Sequence, residues 1–440
     1  MLLPAPMLPC NCLPVSAMLY AFCSMLFAKV NFKPINNVLS VDFVTLKDHQ
    51  NTRHMYNFQF KNPVKILFGK GQISKIRKEL PTGVKIMLTY GGGSIFSNGV
   101  YDQVKKATDG LLLIEFGGIE PNPRFETLMK AVEICKREKV EYLLAVGGGS
   151  VLDGTKFIAA AALYEGSDPW DIMAKKDKIT VEKALPIGSV LTLPATGSEM
   201  NGTAVISKEE TQEKISFAST ATFPRFSVLD PEVIFSLPAN QVANGIVDAF
   251  IHVVEQYLTY PVNSPLQDRF AEAIMKTLVE EGPKVLANPT DYDAAANLMW
   301  CATMALNGLI GLGVPQDWAT HMIGHELTAY HGIDHARTLA IVLPGIMHIR
   351  RNEKQDKLLQ YGERIWSITS GSTNERIDQA IQKTVDFFES TGIKTTLPDY
   401  EVPVETIFKI TERVKSRGSK FGEKADIGPE EIKLILEDRL

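Results

Sequence analysis

Between residues 84 and 237, short apolar runs end in glycine and alternate with stretches of helical spacing. Val84-Lys-Ile-Met-Leu-Thr-Tyr90 closes on Gly91-Gly92-Gly93-Ser94, and residues 99–107 then repeat at helical spacing. A second run, residues 111–116, closes on Gly117-Gly118 and the turn Glu120-Pro-Asn-Pro123. Residues 124–136 place Phe125, Leu128, Val132 and Cys135 on one helix face. Tyr142-Leu-Leu-Ala-Val146 is a third run, followed by Gly147-Gly148-Gly149, and Leu191-Thr-Leu-Pro194 reads as one more strand end. Continuous apolar strands alternating with helices predict a parallel sheet covered on both faces. Short alternating pieces at residues 204–206 and 215–217 predict an inserted hairpin. From about Leu237 the glycine punctuation stops. Helical periodicity takes over near residues 242–257, 265–285, 294–309, 318–330 and 377–391. The expected fold is α/β followed by all-α, with domains over residues 55–236 and 237–440 and a cleft between them.

Residues 1–54 have another character, rich in Pro, Cys, Met and Leu, with an apolar run near residues 15–30. A secretory signal places a positive charge ahead of its apolar core, whereas the first one here, Lys29, comes after it. The run, at roughly 15 residues, is also short for a bilayer. Met55 is therefore expected to be the true start, with residues 1–54 an upstream translation artefact or a disordered extension. A cryptic signal or anchor is the competing reading.

A chain of 440 residues suggests two or three domains. With 45% hydrophobic and 22% charged residues it is an ordinary globular composition. A net charge of −5 argues against nucleic acid or an anionic membrane as partner, since both select a basic face. Five cysteines, three of them at Cys10, Cys12 and Cys23, form neither a disulfide framework nor a paired zinc motif. Cys135 and Cys301 read as small core residues. What remains is a cytoplasmic-type enzyme or binding protein.

Two constellations carry chemistry. Gly-Gly-Gly-Ser follows a strand twice, at residues 91–94 and 147–150. Such turns expose backbone N–H groups where a helix begins, which favours a diphosphate. The second copy continues through Asp153-Gly-Thr-Lys156, with Thr and Lys in the reverse of the P-loop order, and it is not G-x-G-x-x-G. Lys156 reads as a phosphate contact or a helix-face charge. The other constellation is histidine: His321, His325, His331 and His335 within fifteen residues, with Asp248 and His252 spaced for one helix face. One carboxylate with two or three imidazoles suits a catalytic Fe²⁺ or Zn²⁺. Spacing alone pairs His321 with His325. The zinc-protease pattern fails because Glu326 follows the second histidine.

Gly147 to Lys156, Asp248-x-x-x-His252, and His321 with His325 and His335 together resemble the iron-containing, or group III, alcohol dehydrogenases. Residues 307–321 look like the butanol dehydrogenase and NADPH-dependent aldehyde reductase branch. The resemblance runs from about Phe58 to the C-terminus. It implies a Rossmann-like dinucleotide domain, an all-helical metal domain and a homodimer. It implies Asp248, His252, His321 and His335 as metal ligands, and His325 as a catalytic histidine beside nicotinamide and substrate. For the cofactor it implies Gly91, Gly92, Gly93, Ser94, Asn122, Gly147, Gly148, Gly149, Ser150, Asp153, Thr192, Thr196 and Lys214. His331 receives no role and reads as a core or rim residue. NAD-preferring relatives resemble one another in an acidic residue after the first strand, where this chain has Gly91 to Ser94, so NADP(H) is expected. The expected reaction is hydride transfer between NADP(H) and a small aldehyde or primary alcohol. Trp318, one turn before His321, reads as a pocket wall or a core aromatic. A metal hydrolase, a glycerol-dehydrogenase-like polyol enzyme or sugar-phosphate cyclase, and a non-catalytic phosphate binder are the rival readings.

Overall fold

The computed structural model describes residues 54–440 apart from 176 and 177. The reading of residues 1–54 as a leader therefore lies outside the described residues, His54 excepted. Among the described residues there are eight strands: β1 (Lys65–Phe68), β2 (Lys85–Tyr90), β3 (Leu112–Phe116), β4 (Tyr142–Gly147), β5 (Ile187–Leu191), β6 (Thr203–Lys208), β7 (Glu213–Ala218) and β8 (Phe226–Leu229). Helices of eight residues or more are α1 (Val100–Ala107), α2 (Phe125–Glu138), α3 (Gly149–Ala162), α4 (Ala239–Tyr257), α5 (Pro265–Ala287) and α6 (Tyr292–Ala305). They continue with α7 (Ala319–His331), α8 (His335–Ile349), α9 (Gln355–Trp366), α10 (Thr373–Ser390), α11 (Glu405–Arg417) and α12 (Pro429–Glu437).

Six strands form one parallel sheet in the order β1-β8-β5-β4-β2-β3, and β6 pairs with β7 as a separate antiparallel hairpin. β4 and β5 lie inside the sheet and are buried along their whole length, hence their unbroken apolar sequences. Side chains still alternate between faces. Ile86, Leu88, Leu144 and Val146 join one core, while Met87, Leu143 and Ala145 join another under α2 and α3. The first core runs on without interruption into α4, α5, α6, α8, α9 and α10. α4 is buried over nearly its whole length and packs on α5, α6 and α8. A third core joins α7, α8, α11 and α12.

Parallel sheet, hairpin and helical C-terminal region match the expected fold class. Two strands went unread, β1 and β8. Each is four residues long and starts close behind a proline, Pro63 or Pro224, too short a run for periodicity to register. The strand expected to end near Pro194 ends at Leu191, because Thr192 already turns into the loop over Gly147. Helices α8, α9, α11 and α12 were not delimited in the sequence either. Among the described residues no helix is long and apolar enough to cross a membrane. Cys135 and Cys301 are free and buried.

Candidate metal and cofactor site

β2 and β4 are neighbours, with β3 outside one and β5 outside the other. The chain thus reverses its direction of winding here, and both glycine turns sit side by side at the carboxyl ends of the strands. In open α/β sheets this is where a crevice for a ligand forms. Gly147 to Ser150 lead from β4 into α3, and Gly91 to Gly93 lead from β2 into a short helix, Ser94–Ser97. Gly93 has φ +112°, a conformation that L side chains rarely adopt. A Cβ on Gly149 would lie 2.5 Å from both Cγ2 and Oγ1 of Thr196, so the loop after β5 closes directly on the start of α3. The Thr192 N–H donates to the Gly147 carbonyl at 3.0 Å, which brings Thr192 and Thr196 to the same edge.

Asp153 and Lys156 face inward from α3. Asp153 accepts from the Ser198 hydroxyl at 2.6 Å and from the Val205 N–H at 2.9 Å, so both carboxylate oxygens have protein partners. The fully buried Lys156 ammonium donates to Ser198 Oγ (2.8 Å), Asn201 Oδ1 (3.0 Å) and the Thr203 carbonyl (2.8 Å). It is therefore neither a solvated helix-face charge nor aimed at a phosphate, but a pin for the loop that carries Thr196. Burial pushes it down to about 8, against the pull of Asp153 and Glu199. Lys214, on β7, donates to Asn122 Oδ1 at 2.9 Å. Burial lowers it to about 8 as well, while Asp248, Asp153 and Asp334 draw it up. The hairpin is held against α7 by Glu326, whose carboxylate takes Arg413 (3.0 Å) and Arg417 (2.7 Å). Arg413 also reaches the Gln212 carbonyl at 2.9 Å, and Arg417 reaches Glu213 at 3.1 Å.

The histidine cluster is assembled from three helices. α4 supplies Asp248 and His252 one turn apart, α7 supplies His321 and His325, and α8 opens with His335. Gly332, at φ +67°, ends α7 and reverses the chain, bringing His335 back over His321. The linking Asp334 accepts from Asn244 of α4 at 3.0 Å. Donor atoms of Asp248, His321 and His335 lie within 4.8 Å of one another. Nε2 of His252 and of His335 stand 3.9 and 3.8 Å from Asp248 Oδ1, too far for hydrogen bonds. His252 stacks on His321 with ring centroids 4.7 Å apart. The His325 ring is 5.2 Å from that of His335 and edge-on to His321 at 6.3 Å; the group of mutually close donors includes neither His325 nor His252. His331 instead turns outward and pairs with Thr406 at 2.9 Å.

The donor set fits a divalent ion. Asp248 Oδ1 and His321 Nε2 are buried polar atoms with no hydrogen-bond partner, a cost of about 1–3 kcal/mol each unless something binds there, and Nε2 of His252 and of His335 stand beside the same Asp248 oxygen. Burial lowers His252 and His321 to about 4 and His335 well below the ordinary histidine range. The imidazoles are thus neutral at pH 7, as metal ligation requires. Trp318 is half-buried, its ring edge-on to His321 at 5.3 Å and to His252 at 6.3 Å.

Sequence reasoning missed Glu255, which contacts Nδ1 of His321 and accepts the Thr320 N–H at 2.6 Å. Burial and the Asp317 charge push this carboxyl up to about 8, opposed by the bond from Thr320. Its signal was present: Glu255 falls three residues after His252 and seven after Asp248, on the same helical face.

Comparison with known proteins joins fold and site. The profile described as iron-containing alcohol dehydrogenase matches residues 63–231, and that of the Fe-containing alcohol dehydrogenase family C-terminal region matches 242–440. The NADPH-dependent aldehyde reductase YqhD of Escherichia coli is 56% identical over 375 residues, 85% of this chain and 97% of that one. A probable NADH-dependent butanol dehydrogenase of Bacillus subtilis is 41% identical, covering 88% of this chain and all of its own. The crystal structure of NADH-dependent butanol dehydrogenase A from Thermotoga maritima superposes with a TM-score of 0.83 at 40% identity, over 88% of this chain and 99% of that one. The chain belongs to the iron-containing alcohol dehydrogenase family.

Proposed function

We propose that this oxidoreductase transfers hydride reversibly between NADP(H) and small aldehydes or primary alcohols, with Fe²⁺ or Zn²⁺ held by Asp248, His252, His321 and His335. The observation that carries this reading is the close grouping of donor atoms of Asp248, His321 and His335, with α4 touching the loop at the glycine-lined sheet edge. When bound, the ion acts as a Lewis acid on the substrate oxygen. In this reading residues 55–236 hold the cofactor and residues 237–440 the metal. The turns at 91–94 and 147–150 bind the diphosphate through backbone N–H groups, helped by Thr192, Thr196 and the Asn122–Lys214 pair. Asp153 acts through Ser198, keeping the loop in register. Trp318 walls the substrate side, and a ring nitrogen of His325 passes the proton to the substrate oxygen.

Against the rival hydrolase, the Glu326 carboxylate beside the second histidine is committed to two arginines and does not serve as its general base. The assay is oxidation of NADPH with butyraldehyde, with and without chelator. Chelation is expected to abolish turnover and Fe²⁺ or Zn²⁺ to restore it. Chelator-insensitive oxidation, or none across several aldehydes, rejects the reading. Metal analysis after anaerobic purification separates iron from zinc. A homodimer in the cytoplasm is proposed on family grounds, and sedimentation tests the dimer.

Cofactor choice rests on this chain's own residues, because some relatives are named for NADPH or NADP and others for NADH. Residues 91–94 contain no carboxylate to repel a 2′-phosphate, and Ser94 offers a hydroxyl. Ser94→Asp is expected to lower kcat/KM for NADPH relative to NADH about tenfold or more, roughly 1.4 kcal/mol. An unchanged NADPH/NADH ratio would place the selecting group elsewhere.

A further inference from the structure

We infer that Glu255 is the positioning residue that fixes the tautomer of His321, directing its Nε2 into the metal group. This rests on the proposed metal site and names a residue outside the ligand set. His321 has two ring nitrogens: Nδ1 contacts Glu255 Oε2, and Nε2 is buried without a hydrogen-bond partner. A carboxylate accepting from Nδ1–H leaves the lone pair on Nε2, the atom facing Asp248 and His335. Because Oε1 already accepts backbone N–H groups, Oε2 is the oxygen left to take the Nδ1 proton.

Glu255 is itself held on several sides. Its Oε1 accepts the N–H groups of Thr320 (2.6 Å) and His321 (3.4 Å), two of the unpaired donors at the start of α7. Its backbone carbonyl accepts the Asp317 N–H at 2.9 Å, and Asp317 Oδ1 accepts the Ala319 N–H at 2.8 Å. Behind them Lys354, 4% exposed, donates to Asp317 Oδ2 (2.6 Å), to both Glu423 oxygens (3.0 and 2.9 Å) and to the Leu258 carbonyl (2.7 Å). Burial alone would raise Asp317; the Lys354 ammonium reverses that and keeps it charged. The cap of α7 and the orienter of His321 are thus one side chain, locked by a buried ion cluster.

Glu255→Gln separates the two jobs. The amide oxygen can still cap α7, but its NH₂ must then donate to Nδ1, which places the His321 proton on Nε2, in the metal group. Apo protein is titrated anaerobically with Co²⁺, following the visible d–d absorption. Apparent affinity in E255Q is expected to fall about 10–100-fold with a changed cobalt spectrum, while the apo melting temperature holds. Equal affinity and an unchanged spectrum overturn the inference alone. No cobalt binding by the wild-type chain overturns the metal site and this inference with it. Should E255Q fail to fold, a crystal structure of the Co²⁺-loaded wild-type chain decides. Cobalt on His321 Nε2 with Glu255 on Nδ1 supports the assignment; cobalt on Nδ1, or Glu255 among the ligands, overturns it.

Discussion

Asp248→Ala is expected to lose bound metal and to lower kcat/KM for aldehyde reduction by about a thousandfold or more, roughly 4 kcal/mol. Asp248 is the anionic member of the proposed ligand set, and without it three neutral imidazoles must carry a doubly charged ion. The same carboxylate sits near Lys214 and draws that ammonium upward, so its loss also weakens the charge at the cofactor side. Stability separates ligation from a folding role. In the metal-free chain Asp248 Oδ1 is a buried oxygen without a hydrogen-bond partner, so removing it should leave the apo melting temperature unchanged or raised. In the wild type, added metal should raise the melting temperature by mass action, and in Asp248→Ala it should not. Metal content by atomic emission and paired thermal melts check this. A variant that keeps one equivalent of metal and most of its activity would remove Asp248 from the ligand set.

Gly245→Ala carries the second large effect, and it acts on both halves of the site. Gly245 lies one turn before Asp248 in α4, and a Cβ there would stand 2.3 Å from the Pro194 carbonyl oxygen. That oxygen belongs to the loop between Thr192 and Thr196, so α4 touches the cofactor edge backbone to backbone. Alanine improves helix propensity by about 1 kcal/mol. Overpacking costs typically 1–3 kcal/mol, and here the obstacle is backbone, which yields least. A net destabilisation of about 1–2 kcal/mol is expected from urea melts, the steric cost outweighing the propensity gain. Metal and NADPH affinity should weaken together, because separating α4 from the loop displaces Asp248 and His252 as well as Thr192 and Thr196. An equally stable Gly245→Ala chain with both affinities intact would show that the contact is slack.

Much of this was legible along the chain. The unbroken run of β4 reads as an inner parallel strand, and its glycine end as the turn into a helix, as found. Asp248 and His252 on one helix face needed no tertiary knowledge. Lys156 shows where local reading stops. Its place in a near-P-loop sequence suggested phosphate or solvent, but its direction depends on Ser198, Asn201 and Thr203, some forty-odd residues later. Trp318 was open between core and pocket wall; its place edge-on to His321 follows from Gln316, which accepts its indole N–H at 2.8 Å.

The sequence by itself determined the glycine turns, the helical second half and the stock of metal-binding side chains, since these follow from periodicity and residue chemistry within about two helical turns. Tertiary structure decided which of those side chains meet. His321 and His325 are one turn apart, yet the group of close donors joins His321 to Asp248 and His335, which arrive on other helices. It also decided that Glu255 faces His321 and that Gly245 meets Pro194. Helical spacing sets the face on which a side chain stands; only the packing of one helix on the next sets what that face meets.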